Sequence, residues 1–215
     1  MKRIISVITL GLLISANAIA SDKVRQYEVS ITNATTHHVF TPTLLATHKA
    51  SVSLFKVGHA ASAGLVQQAE TGDPSLLLAE TQAKYGVVDT LIGDFIPHGN
   101  TISYTITATK RSRLSITAML ATTNDAFIAL NSVALPKRSA TYYAHVYDAG
   151  SEANNEDCAY IPGPPCAATS GNARTTSSEG HVSIHNGIHG VGSLSAPALD
   201  WRGPAAIITI KKLDD

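Results

Sequence analysis

The segment from Val146 to Asp157, VYDAGSEANNED, holds the side chains most suited to chemistry in this chain. It contains four carboxylates and two amides, with no Lys or Arg among them: Asp148, Glu152, Glu156, Asp157, Asn154 and Asn155. Carboxylates crowded into one loop repel each other unless a cation neutralises them. Because carboxylate and amide oxygens are hard ligands, Ca²⁺ is the ion that they favour. A solvated acidic loop without metal is the alternative that composition leaves open.

A second acid, Asp125, stands at a turn where it can meet this segment. The LSITAML strand pattern ends just before Asn124-Asp125, and the AFIAL pattern begins just after it. Asp148 likewise follows a strand pattern, TYYAHVY. If both turns lie at the same end of the fold, Asp125 and Asp148 can bind one ion. The site is not an EF-hand, because the sixth and twelfth positions counted from Asp148 are Ala153 and Ala159.

Three histidines offer a competing metal site. In EGHVSIHNGIHG, an extended backbone places His181 and His185 on one face, and His189 follows the Asn186-Gly187 turn. Imidazoles favour Zn²⁺ or Cu²⁺, and a site with an open position could activate water for hydrolysis. Positions i and i+4 of a strand lie about 13 Å apart, so one ion bridging them needs a bent backbone. A surface role without metal is the simpler interpretation of these histidines.

The first residues predict export. Residues 1–20 combine a basic start, an apolar run and an Ala18-Ile19-Ala20 cleavage signal, as in a secretory signal peptide. Removing it takes Lys2 and Arg3 from the 16 basic residues and leaves 14 against 16 acidic ones. This balance disfavours nucleic acid as a partner. No later run approaches the roughly 18 apolar residues of a membrane span, so no transmembrane segment is expected. The protein is expected in the periplasm or outside the cell.

The only two cysteines, Cys158 and Cys166, are predicted to form a disulfide. An even, closely spaced pair in an oxidising compartment favours this over a Cys/Cys metal site. The remaining sequence lacks the GxSxG and HExxH motifs of common hydrolases. With both thiols oxidised there is no thiolate nucleophile either. The chain is therefore not expected to be an enzyme.

Alternating hydrophobicity predicts an all-β fold. NTISYTITAT and SRLSITAML alternate at period two, and strands are also predicted at QYEVSIT, SVSLFKV, AFIAL, TYYAHVY, HVSIH and AAIITIK. Residues 61–84 have helical composition instead, with Asp73 capping a second helix that has Pro74 at its first position. The expected fold is an antiparallel β-sandwich with a short helical insertion. Residues 167–179 are predicted to form a mobile Ser/Thr-rich surface loop.

Several motifs, in order along residues 21–215, resemble the spondin domain in a bacterial single-domain form. They are ITNATTHHVFTPTLLATH, VSLFKVGHAAS, LSITAMLATTNDAFIALNS, YYAHVYDAGSEANNE, IPGPP, HNGIHGVGSL and ALDWRGPAAIITI. The same domain stands at the N-terminus of F-spondin and mindin. The resemblance implies a β-sandwich related to the calcium- and phospholipid-binding domains of synaptotagmin and protein kinase C. It also implies calcium held by loops, and adhesion or recognition rather than catalysis.

Carried over to this chain, the family's calcium ligands fall on Asp125, Asp148 and Glu152, with Asn124, the Ala149 carbonyl and Ser151 as weaker candidates. The chain departs from the animal form at Ala126, where that form has Trp, and at Ser151, where the family has Thr. The sequence thus predicts an exported calcium-binding module whose partner is an extracellular protein, glycan or lipid surface. The alternatives are a Zn²⁺ or Cu²⁺ protein using the histidines, and a metal-free structural module.

Overall fold

The computed structural model describes residues 23–166 and 173–214. The predicted signal peptide of residues 1–20 and the first part of the predicted mobile loop, 167–172, lie outside the described residues. In chain order the elements are β1 (Arg25–Asn33), β2 (Leu44–His48), α1 (Ala63–Thr71), α2 (Ser75–Gln82), β3 (Val87–Ile92), β4 (Thr101–Ala108), β5 (Arg113–Met119), β6 (Ala126–Ala134), β7 (Ser139–Asp148), β8 (Ser183–Ile184), α3 (Ala196–Leu199) and β9 (Ala206–Lys212).

The strands form an antiparallel, nearly closed sheet in the order β3-β2-β5-β6-β7-β9-β1-β4, with β8 added beside β7. Strand β7 joins the two halves of the sandwich, because its first part pairs with β9 and its last part with β6. The open edges approach each other where the Asp89 carboxylate of β3 accepts the Thr107 N–H of β4 at 2.8 Å. The predicted all-β sandwich with a helical insertion is confirmed.

Alternation places one face of each strand in the core. In β1, Tyr27, Val29 and Ile31 are buried and face the equivalent residues of β9 and β4. Burial of each such side chain contributes about 1.5–3 kcal/mol relative to leaving it exposed. A second apolar cluster lies between the sheet and the helices, with Leu65, Leu77 and Phe127 fully buried in it. The helical insertion therefore covers the outer face of β2, β5 and β6.

The sequence and the structure differ at three places. Residues 51–57, SVSLFKV, are irregular rather than a strand, so that prediction was wrong. Here the Asn131 side chain holds the backbone, accepting from Leu54 N–H at 3.2 Å and donating to the Phe55 carbonyl at 2.8 Å. Strands β2 and β3 were not predicted. Helix α2 begins at Ser75, and its N-cap is Pro74 rather than the predicted Asp73. Asp73 lies one residue before the N-cap, and its side chain accepts the Ser75 N–H.

The predicted Cys158–Cys166 disulfide is present, with Cα atoms 5.0 Å apart. It closes a loop that packs on a small third cluster containing Ile161, Ile188 and Leu199. Closure of so short a loop stabilises the fold by about 2.5 kcal/mol on the chain-entropy model.

The two helices pack so closely that a glycine is required at their contact. A Cβ on Gly64 would lie 2.6 Å from both the backbone N and the Cα of Leu77. Ala is the better helix former by about 1 kcal/mol, but overpacking against rigid backbone costs about 1–3 kcal/mol. We expect Gly64→Ala to lower the free energy of unfolding by up to about 2 kcal/mol in urea titrations. Gly203→Ala is the control, because nothing lies within 4 Å of a Cβ there; an equal loss in both variants would contradict the packing argument.

Candidate functional site

Two buried carboxylates meet at one end of the sandwich. Strand register pairs Ala126, the first residue of β6, with Asp148, the last residue of β7. Asp125 therefore lies beside Asp148, and both are nearly inaccessible, at 0% and 3% relative exposure. The structure thus brings together the two acids that the sequence places at separate turns.

Asp125 fastens the loop that follows β7. Its Oδ2 accepts the backbone N–H of Ser151 at 2.7 Å, the Ser151 hydroxyl at 3.0 Å and the Glu152 N–H at 3.0 Å. Its backbone carbonyl accepts the Ala149 N–H at 3.2 Å. The other carboxylate oxygen, Oδ1, is buried without a hydrogen-bond partner. A buried carboxylate oxygen without a partner costs free energy, so this atom is a candidate for binding a ligand.

Asp148 is held by neutral donors. Its Oδ1 accepts the Gly150 N–H at 2.5 Å, and its Oδ2 accepts the Asn154 side-chain amide at 2.6 Å. The same amide approaches Glu179 Oε1 at 3.4 Å and so bridges two carboxylates. Gly150 is required here, because its φ is +67° and a Cβ would overlap the backbone of His181.

Burial and a neighbouring negative charge make each carboxyl group a poor acid. Burial, followed by the adjacent Asp148 charge, raises the pKa of Asp125 to about 7. Burial also raises the pKa of Asp148, and the Glu179 charge acts in the same direction. A bound cation would reverse this effect, since it favours the charged form of both groups.

Glu152 is buried nearby but has different side-chain neighbours. Burial and the charge of Glu70 on α1 raise the pKa of Glu152 to about 7, against a hydrogen bond from Asn124 that lowers it. Its Oε2 is buried without a hydrogen-bond partner. Glu70 in turn pairs with Arg174 at 2.5 Å. The link of Glu152 to Asp125 thus runs through its backbone N–H, while its carboxylate interacts with Asn124 and faces Glu70.

The histidines are separated by their hydrogen bonds. His185 is buried at 9% exposure, accepts the Gly187 N–H at Nδ1 and contacts the Asn154 side-chain oxygen through Nε2 at 3.0 Å. Both of its ring nitrogens are therefore in use. His181 is exposed and contacts the Glu179 carbonyl, and His189 is exposed on its loop. Across residues 23–166 and 173–214, no three or more His, Cys, Asp or Glu side chains converge as a ready-made metal site.

A pocket of about 270 Å³ opens beside Asp148, and Ile188 and Val191 add apolar surface to its lining. It is lined mainly by carboxylates, amides and imidazoles, including Asp148, Asn154, Glu156, Glu179, His185 and His189. This oxygen-rich lining suits a hard cation or a hydroxyl-bearing ligand.

Glu156 is a structural member of this site that the sequence did not single out. It is buried, has a φ of +56°, and accepts three consecutive backbone N–H groups, from His189, Gly190 and Val191, at 2.5, 2.6 and 3.0 Å. In the sequence, Glu156 is one of several acids in its segment, and its partners lie in a glycine-rich turn 33 to 35 residues later. These two features are the available signs of its structural role. Unlike Asp125, it has a full set of donors and needs no further ligand.

The family comparison covers the part of the chain that contains these acids. The Spondin_N family model matches residues 20–157, which include Asp125, Asp148 and Glu152. The chain belongs to the Spondin_N family. The curated proteins contain no match to it. In the part of the chain that the structure describes, none of the helices has the length and apolar character needed to cross a membrane.

The buried His185 predicts a pH dependence of stability. Burial lowers its pKa to about 4, with the neighbouring His189 acting in the same direction. The folded state then binds fewer protons than the unfolded state, whose histidine titrates near 6.5. The contribution of His185 to the free energy of unfolding is therefore fully present above about pH 6.5, and it is lost as the pH falls towards 4. Between pH 7 and pH 5 we expect a loss of about 2 kcal/mol that His185→Gln removes.

Urea titrations of the wild type, His185→Gln and His181→Gln at pH 7, 6 and 5 measure this dependence. The exposed His181 is the matched control, and its variant should keep the wild-type slope. The difference between the two variants isolates His185 from the buried carboxyls, whose raised pKa acts in the opposite direction. Parallel slopes in all three proteins would contradict the assignment.

Proposed function

We propose that this spondin-family chain is an exported module that binds Ca²⁺ between Asp125 and Asp148 and serves recognition or adhesion. The observation that carries the proposal is the Asp125 carboxylate. It is fully buried and repelled by Asp148, and Oδ1 lacks a partner while Oδ2 has three donors. A hard divalent cation would supply the missing ligand and neutralise the pair.

The donors available for such an ion are oxygens. Asp125 Oδ1 is unpartnered. The Asp148 carboxylate accepts the neutral N–H groups of Gly150 and Asn154 and also interacts with the Asp125 side chain. The Glu152 carboxylate, with its own unpartnered Oε2, is a third donor whose present neighbours are Asn124 and Glu70. Since Ca²⁺ accepts six to eight ligands in flexible geometry, water and loop carbonyls would complete the shell.

A role in binding rather than catalysis is supported by the family and by the surroundings of the site. The Spondin_N match points to a domain type used in the extracellular space, which agrees with the Cys158–Cys166 disulfide. The adjoining pocket presents carboxylates and amides to the outside. No specific observation favours a Zn²⁺ or Cu²⁺ function, because both ring nitrogens of His185 already have protein partners.

Calcium should stabilise the purified protein against heat. Extracellular modules typically bind Ca²⁺ with a dissociation constant of about 10⁻⁴ to 10⁻³ M. With such a constant, 10 mM Ca²⁺ raises the free energy of unfolding by about 1.4–2.7 kcal/mol through mass action. In a domain of this size the melting temperature should then rise by roughly 3–10 °C. Asp125→Asn and Asp148→Asn should each abolish the rise, measured by differential scanning calorimetry with and without a chelator.

The control variant is Asp94→Asn, the same chemical change at an exposed position. It should keep the full response to calcium. A calcium response that survives in Asp125→Asn and Asp148→Asn would place the ion elsewhere. Stabilisation by Zn²⁺ but not Ca²⁺, removed by His185→Ala, would support the histidine site instead.

A further inference from the structure

The end of the sandwich opposite to Asp148 carries a rim of positive charge. Register brings its parts together: Arg113 lies opposite Ala134, Ser139 opposite Lys211, and His48 opposite Arg113. The β4–β5 turn, the β6–β7 turn and the ends of β2 and β9 therefore meet at one edge. The basic rim is defined here by the six exposed cations at these positions, Lys49, Lys110, Arg111, Lys137, Arg138 and Lys211.

Grooves between these turns are also lined by basic side chains. One, of about 650 Å³, lies between Lys137 and Arg138 on one side and Lys211 and Lys212 on the other. A second, of about 220 Å³, is bordered by Arg25, Arg111 and Arg113. Among the described residues, the carboxylates at this end include Asp214 in the first groove, Glu28, which faces Lys211 across the β1–β9 ladder, and Asp89, which pairs with Thr47. The cations outnumber them, so the rim has a net positive charge.

The charge of the molecule is thus divided between its two ends. Strand β7 runs from Ser139 at the basic rim to Asp148 at the acidic end, and its 10 residues span roughly 30 Å. This separation exceeds the Debye length of about 8 Å at physiological salt, so each end presents its own field to a partner. The formal net charge of zero conceals this division.

We propose that the basic rim docks this protein on a bilayer surface that carries anionic phosphate headgroups. The cations are spread around the edge of a nearly closed sheet, which suits a flat anionic surface better than a single anionic chain. Two exposed apolar groups lie at the same end, Val24 at 58% and Tyr85 at 88% exposure. The Tyr85 ring lies under the Lys49 ammonium at 4.9 Å, a pairing of aromatic ring and cation suited to a membrane interface.

This docking is independent of the calcium proposal. It uses the opposite end of β7 and turns the Asp125–Asp148 pair away from the bilayer. Lipid binding through the rim should therefore persist in a chelator, unlike a mode in which calcium bridges loops and phosphates. Failure of one proposal leaves the other intact, because their variants and their dependence on calcium differ.

Vesicle sedimentation of the mature protein tests the rim. The probes are phosphatidylglycerol/phosphatidylcholine vesicles and pure phosphatidylcholine vesicles, each with EGTA. We expect binding to the anionic vesicles only, falling steeply when NaCl is raised from about 0.1 M to about 0.5 M. Lys137→Gln/Arg138→Gln should weaken it by roughly tenfold or more. The control Lys56→Gln/Arg202→Gln removes two exposed charges outside the rim and should leave binding within about twofold.

Other outcomes overturn the proposal. These are absence of binding to the anionic vesicles at low salt, equal binding to both vesicle types, and equal weakening by the two double variants. Binding to a soluble sulfated polysaccharide without any binding to vesicles would assign the rim to a glycan instead. Equal melting temperatures of the two double variants ensure that the comparison concerns docking rather than folding.

Discussion

The acidic end of this molecule depends on one buried carboxyl group, that of Asp125. Through Oδ2 and its backbone carbonyl it accepts three backbone N–H groups of one loop, from Ala149, Ser151 and Glu152. This fixes the loop that leaves β7 against the turn that enters β6. Because the register of those strands places Asp148 alongside, the loop can be held only by forcing two carboxylates together. The fold thereby concentrates negative charge out of contact with water.

The acids at this end differ in how their carboxylate oxygens are hydrogen-bonded. The Glu156 carboxylate accepts three N–H groups with its two oxygens, and this joins the disulfide loop to the turn at residues 189–191. Asp125 also accepts three donors, but all of them at Oδ2. A group that served the loop alone could share its donors between both oxygens. The uneven arrangement at Asp125 leaves Oδ1 available for the ion that we propose.

The sequence predicted those parts of the fold where one face of a strand is buried. Strands β4 and β7 alternate strictly and were identified. Strand β2 was not, because all five of its residues are buried: Leu45 faces the sandwich core and Leu44 faces the helices. Such a strand shows no alternation. The prediction for residues 51–57 failed for the opposite reason. Val52 and Leu54 alternate with polar residues and are buried, but their backbone is irregular and is held by Asn131.

At the candidate site, the sequence predicted where Asp125 and Asp148 lie. It did not predict which tertiary neighbours or backbone N–H groups each acidic side chain contacts. Asp125 and Asp148 were placed together because each stands where a strand meets a turn, and adjacent antiparallel strands bring such turns to one end. The carboxylate of Glu152 faces Asn124 and Glu70 because helix α1 packs beside it, which depends on tertiary contacts invisible in a local pattern. Glu156 was missed for a related reason: its partners are N–H groups, which every non-proline residue carries and which therefore leave no signature.

The acidic end is built from two parts of the chain, one within the family match and one beyond it. Residues 20–157 match the family and contribute the buried acids, whereas Glu179, His185 and His189 in the pocket wall come from residues beyond the match. Strand β9 also lies beyond it, yet it pairs with both β1 and β7 and completes the sheet. The later segment is therefore an integral part of the fold rather than an appendage. An ion between Asp125 and Asp148 would use matched residues, whereas the shape of the pocket beside it is set largely by the later segment.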